Sequence, residues 1–128
     1  MVQPGPHPTM LPACERLVSE ARRSVREVSW DEVRSPGGAG DHYLIDVREP
    51  DEYRARSVPD AINVPRGLLE FAINRHPALQ HLDEQALLAT PLYLFCGTGG
   101  RSALAAKSLE SLGFEQVYSI RGGLGALP

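Results

Sequence analysis

The feature that most constrains the fold is a glycine-rich turn between a predicted strand and a predicted helix. Residues 91–95 are mostly apolar, as in a buried strand, and residues 102–112 are rich in alanine and leucine up to a helix stop at Gly113. The turn between them consists of Cys96, Gly97, Thr98, Gly99, Gly100 and Arg101. Glycines let the backbone curl tightly, and the following helix adds its positive end. We therefore predict a site in which backbone N–H groups surround the Cys96 sulfur.

The rest of the chain alternates between patterns typical of strands and patterns typical of helices. Apolar residues from Cys14 to Val28 recur at helical spacing and include Leu17, although residues 25–28 also suit a short strand. Further strands are predicted at residues 43–47, 61–64 and 117–120, and further helices at 29–33, from residue 50, and at 68–73. This alternation predicts an α/β fold with a mostly parallel sheet. Asp46 and Cys96 both lie at carboxyl ends of strands, where such sheets bind ligands.

Length and charge limit the classes of protein to consider. The chain has 128 residues, enough for one domain, which we place at residues 13–128 behind a flexible proline-rich N-terminal tail, residues 1–12. A second loop is predicted at residues 35–41. The net charge of −3 argues against binding to nucleic acid. No apolar run reaches the roughly 18 residues of a membrane span, so we expect no membrane association.

Cysteine and histidine usage bears on compartment and cofactors. The sequence has two cysteines and no visible secretory signal, which favours free thiols in the cytoplasm. It contains no C-x-x-C and no H-x-x-x-H motif, so we expect neither a metal ion nor another cofactor. Cys14 is predicted to be a half-buried helix residue. A role for it as a resolving thiol stays open.

Position at a helix N-terminus favours the thiolate form of Cys96. A helix terminus contributes about 0.3–1 kcal/mol, up to ~2 when partly buried. At about 1.4 kcal/mol per unit, this lowers a thiol pKa from about 8.5 to roughly 7. Neighbouring arginines and N–H groups lower it further. Cys96 is therefore a candidate nucleophile that needs no histidine base, and a buried structural cysteine is the alternative.

Four segments in order resemble the rhodanese (thiosulfate sulfurtransferase) family. They are residues 44–53, which contain Asp-Val-Arg, residues 58–65, the turn region 93–102, and residues 113–123. The resemblance implies a three-layer fold with a mostly parallel central sheet flanked by helices. It also implies a persulfide enzyme, in which Cys96 takes a sulfane sulfur from thiosulfate or a related donor and passes it to cyanide or a cellular thiol. The implied partners are thus small-molecule sulfur donors and acceptors.

The resemblance also assigns roles to other residues. Those that would hold the persulfide are Gly97, Thr98, Gly99, Gly100 and Arg101. Asp46 and Arg48 map onto a supporting segment, and Arg66 is a candidate for binding the anionic donor. Structural alternatives stay open for these three: Asp46 anchors the loop or pairs with Arg101, Arg48 pairs with Glu52, and Arg66 is a solvated helix-start residue.

The sequence departs from the family pattern at three places, and two other functions stay open. Ser57 stands where the family usually has histidine, and Asp60 stands where it has glycine. Residues 124–128 replace a tryptophan-containing helix, which leaves the packing of this edge and a homodimer open. One rival function is a non-catalytic interaction module. The other is a cysteine phosphatase, whose C-x5-R signature is not met because Ser102 occupies the arginine position and the spacing to Arg101 is C-x4-R.

Overall fold

The computed structural model describes residues 10–34 and 42–127. The loop predicted at residues 35–41 and most of the predicted proline-rich tail lie outside these residues. The first helix begins at Pro12, the last residue assigned to that tail, where a proline's missing N–H is not needed.

The described residues form helices and strands in alternation. The helices are α1 (Pro12–Ser24), α2 (Trp30–Arg34), α3 (Pro50–Ala55), α4 (Leu69–Ala72), α5 (Glu84–Ala89) and α6 (Gly100–Leu112). The strands are β1 (Arg26–Val28), β2 (Tyr43–Asp46), β3 (Ile62–Asn63), β4 (Leu92–Phe95) and β5 (Val117–Ile120). Short 3₁₀ turns occupy Arg66–Leu68, Ile73–Arg75 and Gly123–Ala126.

The described strands form one parallel sheet in the order β1-β5-β4-β2-β3. This confirms the predicted α/β class with a parallel sheet flanked by helices. The register pairs Asp46 of β2 with Phe95 of β4. Asp46 and Cys96 therefore lie at the same carboxyl edge, as the sequence predicted.

Apolar side chains pack on both faces of the sheet. On one face, buried residues of β2 and β4 such as Ile45 and Leu94 belong to the same cluster as Ala21 of α1 and the fully buried alanines of α6. On the other face, Phe95 and Ile120 pack with Trp30 and Leu124. The small side chains let α6 approach the sheet closely, which fixes the position of its N-terminus beside Cys96.

Two local predictions were wrong or incomplete, and one alternative that the sequence left open is decided. Leu17 was placed on the apolar face of α1, but it is 51% exposed, whereas Ala21 of the same helix is fully buried. Residues 26–28 form β1 and not an extension of α1, which confirms the alternative prediction. The helix predicted at residues 68–73 is shorter than expected, since α4 is flanked on both sides by 3₁₀ turns, and Leu68 and Phe71 are exposed.

Candidate functional site

The Cys96 side chain lies at the point where β4 ends and α6 begins. Its sulfur is almost fully buried, with 1% of the residue exposed. The backbone N–H of Gly99 donates to Sγ at 3.0 Å, and Sγ lies 3.6 Å from the Ser102 hydroxyl. Gly99 has φ +102°, a left-handed conformation that favours glycine. The turn thus aims its backbone donors at the sulfur, as the sequence predicted.

These donors set the protonation state of the thiol. Burial by itself raises the pKa of Cys96, because it disfavours the charged form. Hydrogen bonds from the Ser102 backbone and hydroxyl and from the N–H groups of Thr98 and Gly99 outweigh burial, so that the pKa lies below its ordinary value. The site therefore stabilises a thiolate without a histidine.

A second buried serine, Ser119, contacts the hydroxyl of Ser102. The hydroxyls of Ser102 and Ser119, a β5 residue, lie 2.8 Å apart, and both residues are fully buried. The Ser102 hydroxyl also lies 3.2 Å from the carbonyl oxygen of Gly99. Sequence reasoning missed Ser119. A polar residue inside an otherwise apolar predicted strand was the signal that could have found it.

The C-terminal 3₁₀ turn holds the carbonyl side of the Cys96 loop. Leu124 N–H donates to the carbonyl of Cys96, and Gly125 N–H donates to the carbonyl of Gly97, both at 2.9 Å. Trp30 Nε1 in turn donates to the Gly123 carbonyl at 2.8 Å. Because the carbonyls point to this turn, the loop N–H groups are free to face the sulfur. Trp30 thus helps to hold this edge, whose packing the sequence left open, and no sequence motif indicated that it would.

Asp46 and Arg48 form a buried ion pair that organises the end of β2. Arg48 donates from its backbone N–H and Nε to Asp46 Oδ1 at 3.0 Å, and from Nη2 to Oδ2 at 2.8 Å. Ser57, which stands where the family pattern has histidine, donates to Asp46 Oδ2 at 2.9 Å. The suggested pairs Arg48–Glu52 and Asp46–Arg101 were therefore wrong. The carboxylate of Asp46 is satisfied within its own turn by the closer arginine.

Arg101, at the start of α6, forms an ion pair with Glu52 of α3. The two guanidinium nitrogens Nη1 and Nη2 lie 2.7 and 3.1 Å from the carboxylate oxygens of Glu52. The hydrogen bond from Arg101 holds the pKa of Glu52 at about 2, so this pair is ionised throughout the neutral range. Glu52 was not nominated as a site residue, because nothing in the sequence places α3 next to the start of α6.

Arg66 lies apart from this group. Its Nη2 is 3.1 Å from the Ser108 hydroxyl of α6, and its Nη1 is 3.6 Å from Glu70. Ser108 is about 9 Å along the helix axis from Ser102, at 1.5 Å per residue. Within the described part of the chain, Arg66 Nε has no hydrogen-bond partner. A role for Arg66 in donor binding stays a prediction.

The described residues contain no cluster of three or more residues able to hold a metal ion. Cys14 is half-buried in α1, as predicted, and both cysteines are free. Over residues 10–34 and 42–127, none of the helices is both long and apolar enough to span a membrane.

Comparison with known sequences identifies relatives of this chain. The profile of the family described as "Rhodanese-like domain" matches residues 29–127. Human thiosulfate:glutathione sulfurtransferase is 35% identical over 99 residues, which cover 74% of this chain and 86% of that protein. The adenylyltransferase and sulfurtransferase UBA4 of Meyerozyma guilliermondii is 32% identical over 84% of this chain. The chain spans only 24% of that longer relative.

Solved structures show the same architecture. A Rhodopseudomonas palustris protein of unknown function, described as a possible tyrosine phosphatase, is 30% identical with a TM-score of 0.71, covering 95% of this chain and 93% of that one. The polysulfide-sulfur transferase homodimer of Wolinella succinogenes is 30% identical with a TM-score of 0.67, covering 89% of this chain and 80% of its own.

Proposed function

Because the chain belongs to the rhodanese-like domain family, we propose that it is a sulfurtransferase in which Cys96 carries a sulfane sulfur as a persulfide. The observation that carries this proposal is the buried Cys96 sulfur, which accepts the Gly99 N–H at the N-terminus of α6. Backbone donors arranged in this way stabilise a thiolate and also a persulfide anion, because they donate hydrogen bonds to a negatively charged sulfur of either kind.

The first half-reaction loads the cysteine. The Cys96 thiolate attacks the outer sulfur of thiosulfate, and a new S–S bond forms as the bond to the sulfonate sulfur breaks. The electron pair of the broken bond leaves with sulfite, so that no external oxidant is needed. Loop N–H groups of residues 97–101 stabilise the negative charge that moves onto the terminal sulfur.

The second half-reaction returns the cysteine to its starting state. A nucleophilic acceptor, cyanide or a cellular thiolate, attacks the terminal sulfur of the persulfide. The bond between acceptor and sulfur forms as the S–S bond to Cys96 breaks, and the electron pair returns to the Cys96 thiolate. With cyanide the product is thiocyanate. We propose small molecules as both partners and the cytoplasm as the compartment, since both cysteines are free thiols.

The loop geometry argues against phosphate-ester hydrolysis, the activity suggested for the Rhodopseudomonas palustris neighbour. A C-x5-R phosphatase would need its arginine at the position of Ser102. Ser102 is instead fully buried and directed to Ser119. Arg101, one residue earlier, is held by Glu52. The loop therefore lacks an arginine placed to clamp the oxygens of a phosphate ester.

Intact mass spectrometry tests the proposal. Incubation with thiosulfate should add the mass of one sulfur atom, about 32 Da, and cyanide should remove it with release of thiocyanate. Cys96→Ser should abolish loading, whereas Cys14→Ser should load normally and serves as the matched control. Loading of Cys96→Ser would refute the assignment of Cys96. Absence of loading of the unaltered protein by thiosulfate and by a related sulfane-sulfur donor would favour an interaction module, and hydrolysis of an aryl phosphate without loading would favour a phosphatase.

A further inference from the structure

The charged side chains around the Cys96 loop form compensated pairs. Arg101 makes a two-fold contact with the Glu52 carboxylate, and Arg48 makes one with Asp46. Apart from the Cys96 thiolate itself, these two positive and two negative side chains beside the turn sum to zero charge. This balance is unexpected for a site that binds a dianion, where an uncompensated cation would be favourable.

The Arg101–Glu52 pair is placed to act on the donor. A methyl group built on Gly97, the residue after Cys96, would lie 3.6 Å from Arg101 Nη2, so that the guanidinium rests against the loop itself. Side-chain exposures of 43% for Arg101 and 39% for Glu52 put both groups at the protein surface. A donor that reaches the Cys96 sulfur therefore lies within the electrostatic range of both charges, about 10 Å at moderate salt.

We propose that Glu52 determines which donor charge the site prefers. With Glu52 present, the site favours donors with one negative charge or none over the thiosulfate dianion. This inference rests on the proposed sulfurtransferase function. The donor class consists of organic thiosulfonates and persulfides, which carry a sulfane sulfur on an organic group.

The reason is electrostatic. The Glu52 carboxylate cancels the positive field of Arg101 and leaves the backbone N–H groups as the principal source of anion binding. Without that carboxylate, each negative charge on the donor gains attraction to Arg101, and a dianion gains about twice as much as a monoanion. Glu52 is thus a specificity-determining residue that acts through Arg101 and takes no part in bond formation.

An organic thiosulfonate follows the same balanced chemistry. The Cys96 thiolate attacks the outer sulfur of the thiosulfonate anion, and the bond to the sulfonyl sulfur breaks. A sulfinate leaves with the electron pair, and the cysteine becomes the persulfide. Benzenethiosulfonate carries one negative charge and thiosulfate carries two, so that these donors differ in charge while transferring the same atom.

The test compares loading rates of the two donors in Glu52→Gln. Glutamine can still accept the Glu49 N–H that Glu52 accepts at 3.2 Å, so α3 keeps its first-turn contact. At low ionic strength, the second-order loading rate with thiosulfate should rise on the order of tenfold, and that with benzenethiosulfonate by roughly threefold. A change in the thiolate fraction of Cys96 affects both donors equally and cancels in the ratio of the two rates.

Asp51→Asn is the matched control. Asp51 precedes Glu52 on α3, is 91% exposed at its side chain, and contacts Arg54 instead of Arg101. The substitution removes the same charge from the same helix, and the ratio of the two rates should not change. A second measurement varies the salt concentration: loading of the unaltered protein by thiosulfate should not fall as salt is added, whereas in Glu52→Gln it should fall because salt screens Arg101.

The outcomes separate this inference from the proposed function. A rise in the thiosulfate-to-thiosulfonate ratio in Glu52→Gln but not in Asp51→Asn supports the role of Glu52. An unchanged ratio, or a thiosulfate loading rate in the unaltered protein that falls steeply as salt is added, overturns it while sulfur transfer stands. No loading from either donor in the unaltered protein overturns the proposed function itself.

Discussion

Replacing Gly123 by alanine tests whether the C-terminal 3₁₀ turn holds the sulfur site in place. Gly123 has φ +52°, and a Cβ built on it would lie 2.1 Å from the carbonyl oxygen of Cys96. Ordinary contact begins near 3.4 Å, so that the turn and the loop must separate by more than 1 Å. The contact is between backbone atoms and cannot be relieved by a side-chain rotation.

The expected losses follow from this geometry. A left-handed conformation costs alanine about 1–2 kcal/mol, and loss of the hydrogen bond from Leu124 N–H to the Cys96 carbonyl costs about 1 kcal/mol. We therefore expect Gly123→Ala to lower the free energy of unfolding by roughly 2–3 kcal/mol. A displacement near 1 Å at the reacting atom lowers a rate by about a hundredfold. Urea unfolding measures the first effect, and the rate of sulfur loading by thiosulfate measures the second.

Two glycines serve as controls. Gly113, at the far end of α6, has φ +104°, and a Cβ built on it would make only an ordinary contact with Leu88 Cδ1 at 3.9 Å. Gly113→Ala should destabilise the fold through the same backbone strain and leave the loading rate intact. Gly67→Ala meets nothing within 4 Å and should change neither quantity. Loading by Gly123→Ala within about threefold of the unaltered protein would refute the reasoning, as would an equal loss of rate in folded Gly113→Ala.

Two further predictions concern titration and the buried ion pair. In a Cys14→Ser background, the alkylation rate of Cys96 should rise with pH, with a midpoint at lower pH than that of N-acetylcysteine, because a lowered pKa keeps the thiol ionised at lower pH. An equal or higher midpoint would contradict stabilisation of the thiolate by the loop. Asp46→Asn leaves the buried cation of Arg48 without its carboxylate and should reduce the free energy of unfolding by about 3–5 kcal/mol in urea titrations. A loss below about 1 kcal/mol would show that this ion pair does not stabilise the fold.

Patterns within short segments predicted much of the fold. The apolar run of β4, the glycines after it and the helix up to Gly113 are local features, and the structure has them at nearly the predicted bounds. Parallel strands joined by helices bring their carboxyl ends to one edge, so Asp46 and Cys96 were correctly predicted to share it. Backbone donors to a thiolate at a helix N-terminus follow from the same local geometry.

Which charged and polar groups meet at that edge was decided only by the tertiary structure. Local spacing suggested Arg48 with Glu52, but the fold pairs Glu52 with Arg101, 49 residues away, and Arg48 with Asp46. Similarly, no pattern within a segment indicates that Trp30 holds the turn behind Cys96. A hydrophobic period specifies the face that an element buries, whereas the partner of a long, flexible charged side chain depends on how separate elements are brought together. The sequence alone therefore predicted the backbone donors around the Cys96 sulfur. The packing of α3 against the start of α6 decided which charges lie beside them, and the C-terminal turn decided how the loop is held.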